Sequence, residues 1–503
     1  MPIVPVGGAA STRAAEAVLL EGWGVPVPLL LERVAIAAAR RVREMLPAGG
    51  RVTVLVGPGH NGADGLALAR ILAQSGVPVT ALGLGDGRGE VWRQQADWAG
   101  RAGVRFRDLA EDAPGMGAVV VDALLGFGAT RAPGEAMARA IRAAVGGSAW
   151  RFSLDVPTGL DPETGVPFGD VVFEAHETLA TGVVKPATVA DPGLFATGGL
   201  GWVDLGLPPE ALALLPGRIV SCPEPKTAVA DVHKGRRGRV LVLGGGAGMA
   251  GAPALAALAA MRGGAGLVEV RVPEELVPVV AGLVPEALVR AWNLEELGPA
   301  LGAADVVLAG PGTLPKDHVQ ATLQRIWQDF PGPMVMDGGA LSAALPPAPA
   351  GRWRVMTPHP GEAARLLEVA PALIQQDRFG SASKLVASFQ SLVVLKGARP
   401  IVQGPTSGFR VMGWGTPALA TAGSGDVLAG LVAAALTYGP RSEEDALGAV
   451  AAAVARHQQL GRAAAEWARD REIVARDLLT CGSSGPAWWP ATPGAESMWT
   501  RIS

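Results

Sequence analysis

The stretch TAGSGDVLAG, residues 421–430, combines residue types that could catalyse the transfer of a phosphoryl group. Gly423 and Gly425 leave backbone N–H groups unobstructed at the point where an apolar helix is predicted to begin. The N-terminus of a helix attracts anions, so these groups could hold a phosphoryl group or its leaving oxygen. Asp426 would lie beside that anion, where a carboxylate can accept the proton of an attacking hydroxyl. Taken alone, the motif is more typical of an aspartate that caps a helix.

Further polar residues follow predicted strands in the same half of the chain. GPGTL (310–314), TPHPGE (357–362) and VLKGA (394–398) each follow an apolar run, and Lys396 ends the last of these runs. Open α/β sheets bind ligands at the carboxyl ends of their strands. No G-x-x-x-x-G-K-[ST] sequence occurs, which excludes a P-loop. A phosphate site without a P-loop that ends in Gly-Ser-Gly-Asp before a helix resembles the site of ribokinase-like folds.

The sequence GGGAGMAG, residues 244–251, has the spacing G-x-G-x-x-G at Gly246, Gly248 and Gly251. It follows a predicted strand, and Glu269 is expected to end the next strand, as in dinucleotide-binding folds. A tight turn in a glycine-rich chain explains the spacing better, and no site for hydride transfer accompanies it. An NAD-dependent dehydrogenase is the alternative that this motif leaves open.

Oxygen-bearing side chains follow neighbouring strands in the first half of the chain. Asn61, Asp122 and Thr158 each lie close to a predicted strand end, and converging amide, carboxylate and hydroxyl oxygens suit a hard metal ion. The glycines before Arg131 would suit a pyrophosphate, and helix capping alone could explain Asn61. The motifs are VGPGHNGADG (56–65), VDALLGFGATR (121–131), LDVPTG (154–159, with Asp155) and VVKPAT (183–188, with Lys185).

Composition and charge exclude several classes of protein. The chain has 503 residues, a formal net charge of −3 and only two cysteines, so we expect no nucleic-acid surface, disulfide framework or zinc site. The short basic cluster HKGRRGR, residues 233–239, is interpreted as a loop. The most apolar stretch, residues 251–270, is broken by Arg262 and by glycines, so it is not predicted to span a membrane. No signal peptide is apparent, and we expect a cytoplasmic protein.

Two series of apolar runs that alternate with helical segments indicate two α/β domains with parallel sheets. The Pro-rich residues 207–231 are interpreted as the linker, and the tail after Leu479 has no clear period. The predicted strands are 51–57, 77–84, 117–124 and 150–157 in the first domain and 239–245, 266–272, 305–310, 333–339, 353–359 and 391–397 in the second, with helices at 63–74, 253–262, 425–437 and 442–459.

The second half is similar to the ADP-dependent NAD(P)H-hydrate dehydratases, which have a ribokinase-like fold. Seven motifs occur in the family's order between about Val232 and Leu479: HKGRRGRVLVLGGG, GAPALAALAAMRGGAGLVEV, the pair Pro285–Glu286, GPGTL, TPHPGE, VVLKG and TAGSGDVLAG. The chain departs from the family at Gly339, where an acid is usual, and at Arg476, where a small residue is usual. The resemblance implies Asp426 as catalytic base, nucleotide contacts at Lys396, Gly397, Ala398, Arg399, Pro400, Gly423, Ser424 and Gly425, and contacts with the hydrated nicotinamide at Ala252, Gly312, His359 and Asp426.

Residues 11–205 resemble the NAD(P)H-hydrate epimerases, which have a Rossmann-like fold. The resemblance implies K⁺ at Asn61, Asp122 and Thr158, and it places Asp155 at the reacting centre with Lys185 as its partner. Three departures make reduced epimerase activity one expectation, because His60 replaces an Asn, Ala63 a Gly and Arg33 an Asn. The implied substrate contacts are His60, Asn61, Gly62, Ala63, Asp64, Gly126, Phe127, Gly128, Ala129, Thr130, Arg131 and Asp155.

Together, the resemblances imply a bifunctional enzyme that repairs hydrated NADH and NADPH. Residues 1–206 would interconvert the R and S hydrates, and residues 232–503 would dehydrate the S hydrate with ADP and release AMP and phosphate. The expected partners are the two hydrates and ADP, with Mg²⁺ on the nucleotide; we expect a homo-oligomer that binds neither nucleic acid nor membrane. The alternative is a ribokinase-like small-molecule kinase joined to a nucleotide-sensing domain without catalytic activity.

Overall fold

The computed structural model describes residues 4–83, 87, 89–109, 115–220, 237–292, 294–314, 317–413, 415–469, 472–480 and 499–502. The chain divides into two compact units, the first with residues 1–219 and 494–503 and the second with residues 220–493. Each unit contains a mainly parallel sheet covered by helices, so the predicted α/β class is confirmed for both halves.

The first unit alternates short strands with helices. The helices are α1 (Ala9–Ala17), α2 (Val27–Met45), α3 (His60–Gln74), α4 (Glu90–Arg101), α5 (Glu135–Val145), α6 (Leu194–Thr197) and α7 (Pro209–Leu212). The strands are β1 (Val4–Val6), β2 (Val52–Val56), β3 (Val79–Gly83), β4 (Arg105–Asp108), β5 (Val119–Ala123), β6 (Trp150–Leu154), β7 (Glu177–Thr181), β8 (Gly199–Val203) and β9 (Gly217–Val220).

The parallel sheet of the first unit has the strand order β8-β7-β6-β5-β2-β3-β4. Apolar side chains of β2, β5 and β6 pack on α2, α3 and α4 on one face, and α5 covers the other. The chain runs from β2 to β3 and β4 on one side and then returns to β5 on the other. The direction of winding therefore reverses between β2 and β5, and such a reversal marks the ligand crevice of open α/β sheets.

The second unit likewise alternates strands with helices. The strands are β10 (Arg239–Leu243), β11 (Leu267–Val272), β12 (Leu288–Ala291), β13 (Val306–Ala309), β14 (Met334–Met336), β15 (Arg354–Met356), β16 (Leu392–Leu395), β17 (Ile401–Gln403) and β18 (Phe409–Met412). The helices are α8 (Gly251–Arg262), α9 (Val277–Leu283), α10 (Leu294–Ala303), α11 (Asp317–Asp329), α12 (Pro360–Leu367), α13 (Pro371–Gln376), α14 (Arg378–Phe389), α15 (Ser424–Leu436), α16 (Glu443–Ala468) and α17 (Asp477–Thr480).

The sheet of the second unit reverses its winding between β10 and β13. Its parallel strands have the order β12-β11-β10-β13-β14-β15-β16, and the antiparallel strands β17 and β18 follow β16. The Ala-rich helices α8 and α15 pack on each other and, with α16, on the buried side chains of the sheet. The loops after β10, β13, β14, β15 and β16 consequently meet at one edge of the sheet, beside the start of α15.

The structure differs from the sequence-based assignments in several places. Strand β4 was not predicted because its sequence, RFRD, is polar and all four residues are exposed at the sheet edge. The predicted linker contains α7 and β9, while residues 221–236, which include most of the basic cluster, lie outside the described part. The strand β19 (Trp499–Ile502) pairs antiparallel with β8, so it groups with the first unit and not with the predicted second domain. Among the described residues, no helix is long and apolar enough to cross a bilayer.

Candidate active sites

A buried ion pair marks the candidate site of the first unit. Asp155 follows β6, and its Oδ1 lies 2.7 Å from Nζ of Lys185, whose side chain is completely buried. The ammonium also donates to the backbone oxygen of Val183 at 2.7 Å. Because a buried charge without a partner would be costly, the pair holds both groups in one geometry. The structure thus brings together two predicted residues that follow different strands, β6 and β7.

The backbone of Asp155 has a conformation that few residues adopt. Its φ of 68° lies in the left-handed region, where Asp and Asn are tolerated better than larger residues. The turn directs Oδ2 at the backbone N–H of Phe127, which donates to it at 2.8 Å. A Cβ on Gly126 would lie 2.9 Å from the same oxygen. The absence of a side chain at Gly126 therefore lets the predicted substrate loop approach the carboxylate closely.

Two of the predicted metal ligands, Asn61 and Thr158, contact the backbone of Leu125, and the third, Asp122, is hydrogen-bonded to Thr158. The N–H of Leu125 donates to Thr158 Oγ1 at 3.1 Å, and the Asn61 amide donates to the backbone oxygen of Leu125 at 3.1 Å. Asp122 accepts from the hydroxyl and the N–H of Thr158 at 2.7 and 2.8 Å. Burial raises the pKa of Asp122 to about 6, although these hydrogen bonds oppose the shift. Asn61 Oδ1 is buried and has no hydrogen-bond partner, so it is an oxygen that a bound cation would satisfy.

Helix α1 contributes residues to this site that the sequence did not single out. The guanidinium of Arg13 lies 5.6 Å from the centre of the Phe127 ring, and Lys185 Nζ lies 4.6 Å from it. Burial raises the pKa of Glu16, one turn further along α1, and the charge of Lys185 opposes the shift. Burial also raises the pKa of Asp64 well above its usual value, with the charge of Asp155 adding to the shift. The site therefore gathers several carboxyl groups around the charge of Lys185.

The three residues that depart from the epimerase pattern differ in their exposure to solvent. His60 is exposed at the start of α3, whereas Ala63 is fully buried one turn along. Arg33 on α2 is exposed. The remaining predicted contacts lie in the first turn of α3 or in the half-buried to exposed segment after β5, and they are Gly62, Asp64, Gly128, Ala129, Thr130 and Arg131.

In the second unit, Asp426 is the third residue of α15. Gly423 precedes the helix with a φ of 87°, a conformation that strains other residues, and a Cβ there would lie 2.7 Å from Leu255. Burial is the main cause that raises the pKa of Asp426 to about 7; the charge of Asp337 adds to the shift and Lys396 opposes it. A carboxylate with this pKa at a helix N-terminus suits a general base near neutral pH.

Lys396 directly follows β16, and its side chain reaches the first turn of α15. Its Nζ lies 2.7 Å from Oδ1 of Asp337, which also accepts from the hydroxyl of Thr357 at 2.7 Å. A Cβ on Gly425 would lie 3.2 Å from the ammonium, so the ammonium lies directly against the first turn of α15. Burial alone would lower the pKa of Lys396, but the surrounding carboxylates raise it above its usual value. The cation is thus held charged beside the predicted anion site.

The residues predicted to contact nicotinamide lie at two neighbouring loops. Gly312, after β13, has a φ of 66°, and a Cβ there would lie 3.1 Å from Cβ of Ala252 on α8. His359 caps α12: its Nδ1 accepts from the N–H groups of Gly361 and Glu362 at 3.0 and 3.2 Å. These two bonds occupy Nδ1, and Nε2 lies 3.6 Å from Oε1 of Glu362, while the side chain as a whole remains 57% exposed.

The predicted nucleotide segment, residues 396–400, lies between β16 and β17. Buried Arg378 donates to the backbone oxygens of Leu395 and Lys396 at 3.2 and 3.0 Å and lies where a Cβ on Gly397 would be. Arg399 is also buried, and burial lowers its pKa to about 9. One arginine under the segment and one within it place two positive charges there, which suits a polyphosphate.

Two sequence features have a different meaning in the structure. A Cβ on Gly339 would lie 1.8 Å from the backbone oxygen of Thr313, so this chain has no room for the acid that is usual there. Glu269 lies inside β11, and its carboxylate is paired with Arg239 and with Arg271, at 2.7 Å from the latter. The expectation that Glu269 ends a strand is therefore wrong, and its carboxylate is committed within the sheet instead of facing a ribose.

The sequence reasoning passed over Asp337 and Glu362, although both carried a signal. Asp337 is the first residue after β14, and Glu362 closes the capping box in TPHPGE by accepting from the N–H of His359 at 2.8 Å. An acid directly after an apolar strand was the same signal that singled out Asp155. Both carboxylates influence the pKa of Asp426.

The raised pKa of Asp426 predicts how the rate of a reaction that uses this residue as general base depends on pH. A general base acts when it is ionised, so kcat/KM should rise through about pH 7 and fall about tenfold per unit well below it. Three charged groups face this carboxylate. Lys396 favours its ionised form, and Asp337 and Glu362 disfavour it. Initial rates from about pH 5 to pH 9, with circular dichroism to exclude unfolding, measure the profile. A rate that is flat between pH 6 and pH 8 would contradict Asp426 as the base.

Both halves of the chain match known proteins. A family model described as NAD(P)H-hydrate dehydratase matches residues 240–481, and one described as YjeF-related protein N-terminus matches residues 28–187. The bifunctional NAD(P)H-hydrate repair enzyme Nnr of Coxiella burnetii is 33% identical over 466 residues, which cover 90% of this chain and 93% of that protein. The Escherichia coli protein of the same name is 32% identical over 424 residues, which cover 82% and 81%.

A solved structure is similar to half of the chain. The ADP/ATP-dependent NAD(P)H-hydrate dehydratase from Bacillus subtilis, co-crystallised with ATP and Mg²⁺, is 29% identical. The match covers 50% of this chain and 90% of that chain, with a TM-score of 0.45.

Proposed function

Because this chain belongs to the family of bifunctional NAD(P)H-hydrate repair enzymes, we propose that it restores hydrated NADH and NADPH through two activities. The first unit, which contains the predicted domain 1–206, interconverts the epimers of the hydrate. The second unit, which contains most of the predicted domain 232–503, dehydrates one epimer at the expense of ADP. The observation that carries the assignment is Asp426, whose pKa is raised to about 7 beside Lys396 and the glycine turn before α15.

Asp426 and ADP convert the hydroxyl group of the hydrate, which leaves poorly, into a phosphate, which leaves readily. The hydrate carries a hydroxyl at carbon six of the nicotinamide ring, and hydroxide leaves poorly. Asp426 accepts the hydroxyl proton while the oxygen takes the terminal phosphoryl group of ADP, so that AMP is released. The lone pair of the ring nitrogen then expels phosphate, and loss of a proton from carbon five restores the double bond.

The surroundings of Asp426 supply the stabilisation of charge that this transfer needs. The N–H groups of the Gly423–Gly425 turn and the N-terminal dipole of α15 face the transferred group. Lys396, held by Asp337, adds a full positive charge at the same point. Ala252, Gly312 and His359 bind the nicotinamide, and the 396–400 segment binds the nucleotide. Mg²⁺ accompanies the nucleotide through its phosphate oxygens, as is usual for this cation.

Asp155 is the proton-transfer group of the epimerisation. Carbon six bears both the hydroxyl and the ring nitrogen, so removal of the hydroxyl proton lets the carbon–nitrogen bond open to an aldehyde. The electron pair stays on the nitrogen, conjugated with the ring carboxamide. Closure on the opposite face and return of the proton give the other epimer. Lys185 offsets the buried charge of Asp155, and the N–H of Phe127 orients its second oxygen.

The oxygens of Asn61, Asp122 and Thr158 fit a K⁺ ion in the first unit. Among the described residues, no group of three or more His, Cys, Asp or Glu side chains could hold a metal. The unpartnered Asn61 Oδ1 is the feature that a monovalent cation would satisfy. Such an ion would supply positive charge beside the substrate phosphates. A homo-oligomeric assembly stays a prediction.

Replacing K⁺ with tetramethylammonium at equal ionic strength is expected to slow epimerisation about 10- to 100-fold, because the larger ion cannot enter a set of buried oxygens. The rate is measured from one pure epimer, without nucleotide, by chromatography of the two hydrates. The variant Asn61→Ala should be slow in both salts and should not respond to K⁺. Equal rates of the parent protein in the two salts would rule out a K⁺ site that supports catalysis.

An isotope experiment tests the phosphoryl transfer. The hydrate is prepared in oxygen-18 water and used in a single turnover with ADP. We expect the label in the released phosphate and none in AMP, because the hydroxyl oxygen leaves with the phosphoryl group. Label in water would indicate dehydration without phosphoryl transfer. A phosphorylated hydrate that accumulates without restored NADH would indicate a small-molecule kinase.

A further inference from the structure

The start of helix α1 is fixed against the segment that carries Lys185. The N–H of Gly7 donates to the backbone oxygen of Val184 at 3.0 Å, and the N–H of Val184 donates to the backbone oxygen of Pro5 at 2.9 Å. Helix α1 begins two residues after Gly7, at Ala9. These hydrogen bonds therefore hold the start of the helix beside the segment of the buried ammonium.

One side of α1 adjoins the loop that contacts Asp155. Arg13 and Glu16 are three residues apart, so they lie on the same side of the helix. The Phe127 ring lies between two cations, Arg13 at 5.6 Å and Lys185 at 4.6 Å from its centre. The N–H of Phe127 in turn donates to Oδ2 of Asp155. The side of α1 that carries Glu16 therefore belongs to the surroundings of the candidate reaction centre.

The carboxyl group of Glu16 is half-buried, and no hydrogen bond to another described residue engages it. Burial raises the pKa of Glu16, and among the charges that act on it Lys185 has the largest effect and opposes the shift. Asp155, by contrast, is held as a carboxylate in its ion pair with Lys185. Two neighbouring carboxyl groups whose environments favour opposite protonation states are typical of an acid and a base that act together.

The end of α1 has an unusual backbone conformation. The helix continues directly into one turn of π-helix, Val18–Gly22, and the N–H of Trp23 donates to the backbone oxygen of Val18 at 3.0 Å. Such turns are rare and occur frequently at functional sites. The π turn begins two residues after Glu16, and it supports a functional role for this part of the helix independently of the charges.

Opening of the hydrate requires a proton donor as well as a base. When Asp155 removes the hydroxyl proton, the oxygen forms a carbonyl with carbon six, and the bond from carbon six to the ring nitrogen breaks. The nitrogen keeps the electron pair, and a proton delivered to that pair makes the nitrogen a better leaving group. After rotation about the bond between carbons five and six, the nitrogen attacks the opposite face of the carbonyl and loses its proton. The oxygen then regains a proton from Asp155.

We propose that Glu16 is the general acid of the epimerisation, which donates its proton to the ring nitrogen as the ring opens and takes it back as the ring closes. The inference rests on the proposed epimerase function, in which Asp155 is the base. No co-reactant is needed, because each carboxyl group ends the cycle in the protonation state in which it began.

The variant Glu16→Gln tests the proton donor. Glutamine keeps the size of the side chain and can still donate a hydrogen bond, but it cannot release a proton. We expect kcat of epimerisation, followed from one pure epimer without nucleotide, to fall about 10²- to 10⁴-fold, with KM within about threefold of the parent. Dehydration of the S hydrate should stay at the parent rate. Glu21→Gln is the matched control, since Glu21 is exposed in the adjoining π turn.

The pH profile distinguishes a general acid from a residue that only supports the structure. The charged and titratable groups around Glu16 are Arg13 on its own helix, Lys185, Asp155, and Asp64 on α3. In the parent, kcat/KM of epimerisation should fall as the pH rises through the raised pKa of Glu16, because the acid loses its proton. This descent should be absent in Glu16→Gln and present in Glu16→Asp.

The outcomes separate this inference from the proposed function. A parent that epimerises while Glu16→Gln retains its rate within about threefold, or retains the descent at high pH, would overturn the inference alone. A descent that disappears in Asp64→Asn but not in Glu16→Gln would assign the acid to Asp64 and likewise overturn it. If glutamine lowers the Tm, Glu16→Asp decides, since the displaced carboxyl should lower kcat at least about tenfold and an unchanged kcat would overturn the inference. A parent that epimerises neither hydrate would refute the proposed epimerase and this inference with it.

Discussion

Asp426→Asn is expected to lower the rate of ADP-dependent dehydration by about 10²- to 10⁴-fold, the usual effect of removing a general base. The amide keeps the size of the side chain but cannot accept the hydroxyl proton. Epimerisation by the first unit should continue at the parent rate. Recovery of nicotinamide absorbance from the S hydrate with ADP measures the first activity, and chromatography of the epimers measures the second.

The same variant should not lose stability. Because burial raises the pKa of Asp426 from 3.8 to about 7, the folded state holds a proton that the unfolded chain releases, and stability is lost as the pH rises through this interval. The neutral amide removes that cost, so the Tm at about pH 8 should equal or exceed that of the parent. Asp445→Asn is the matched control, since Asp445 is likewise the third residue of a helix. Dehydration by Asp426→Asn within a factor of about three of the parent would refute the assigned base.

Asp155→Asn is expected to lower epimerisation by about 10²- to 10⁴-fold while dehydration of the S hydrate stays at the parent rate. Asparagine tolerates the left-handed backbone at this position and can still accept from the N–H of Phe127. What it loses is the ability to take and return the hydroxyl proton. Starting from the R hydrate with ADP, the variant should restore NADH only as fast as the epimers exchange spontaneously.

Removing one charge of a buried pair can cost about 3–5 kcal/mol, so the loss of activity needs a stability control. The double variant Asp155→Asn/Lys185→Met removes both charges and should recover part of the stability but none of the activity. Asp204→Asn is the matched single control, because Asp204 is exposed and accepts from a backbone N–H two residues further on at 2.8 Å. Epimerisation that returns in the double variant would contradict a catalytic role for Asp155.

Much of the fold follows from the sequence because buried parallel strands are continuous apolar runs. Segments such as RVTVLVG and SLVVLKG were predicted within one or two residues, as was the start of α15 at the glycine turn. Strands without that signal were missed: β4 is a polar edge strand, and β17 and β18 form a short antiparallel pair. The predicted end of the second long helix was also too early, since α16 continues to Ala468.

The candidate sites were predictable where one residue carries the chemistry and a strand end fixes its place. Asp155 satisfies both conditions, whereas the place of Asp426 was indicated by the glycine turn before α15. The pairing of Lys396 with Asp337 was not predictable, because it depends on which strands are neighbours in the sheet. The approach of α1 to the first site, with Glu16 and Arg13, arises from packing that no local pattern encodes. Close backbone contacts, such as the one that leaves no room for a side chain at Gly339, are likewise visible only in three dimensions.

The central claim is that one chain restores both epimers of the hydrate with ADP. Its most direct test is the recovery of nicotinamide absorbance from a purified mixture of the two epimers of hydrated NADH, with ADP and with no nucleotide. We predict complete recovery with ADP and no recovery beyond the spontaneous rate without nucleotide. Recovery that stops when the S hydrate is consumed would contradict the epimerase half of the claim, and no recovery with any nucleotide would contradict the claim as a whole.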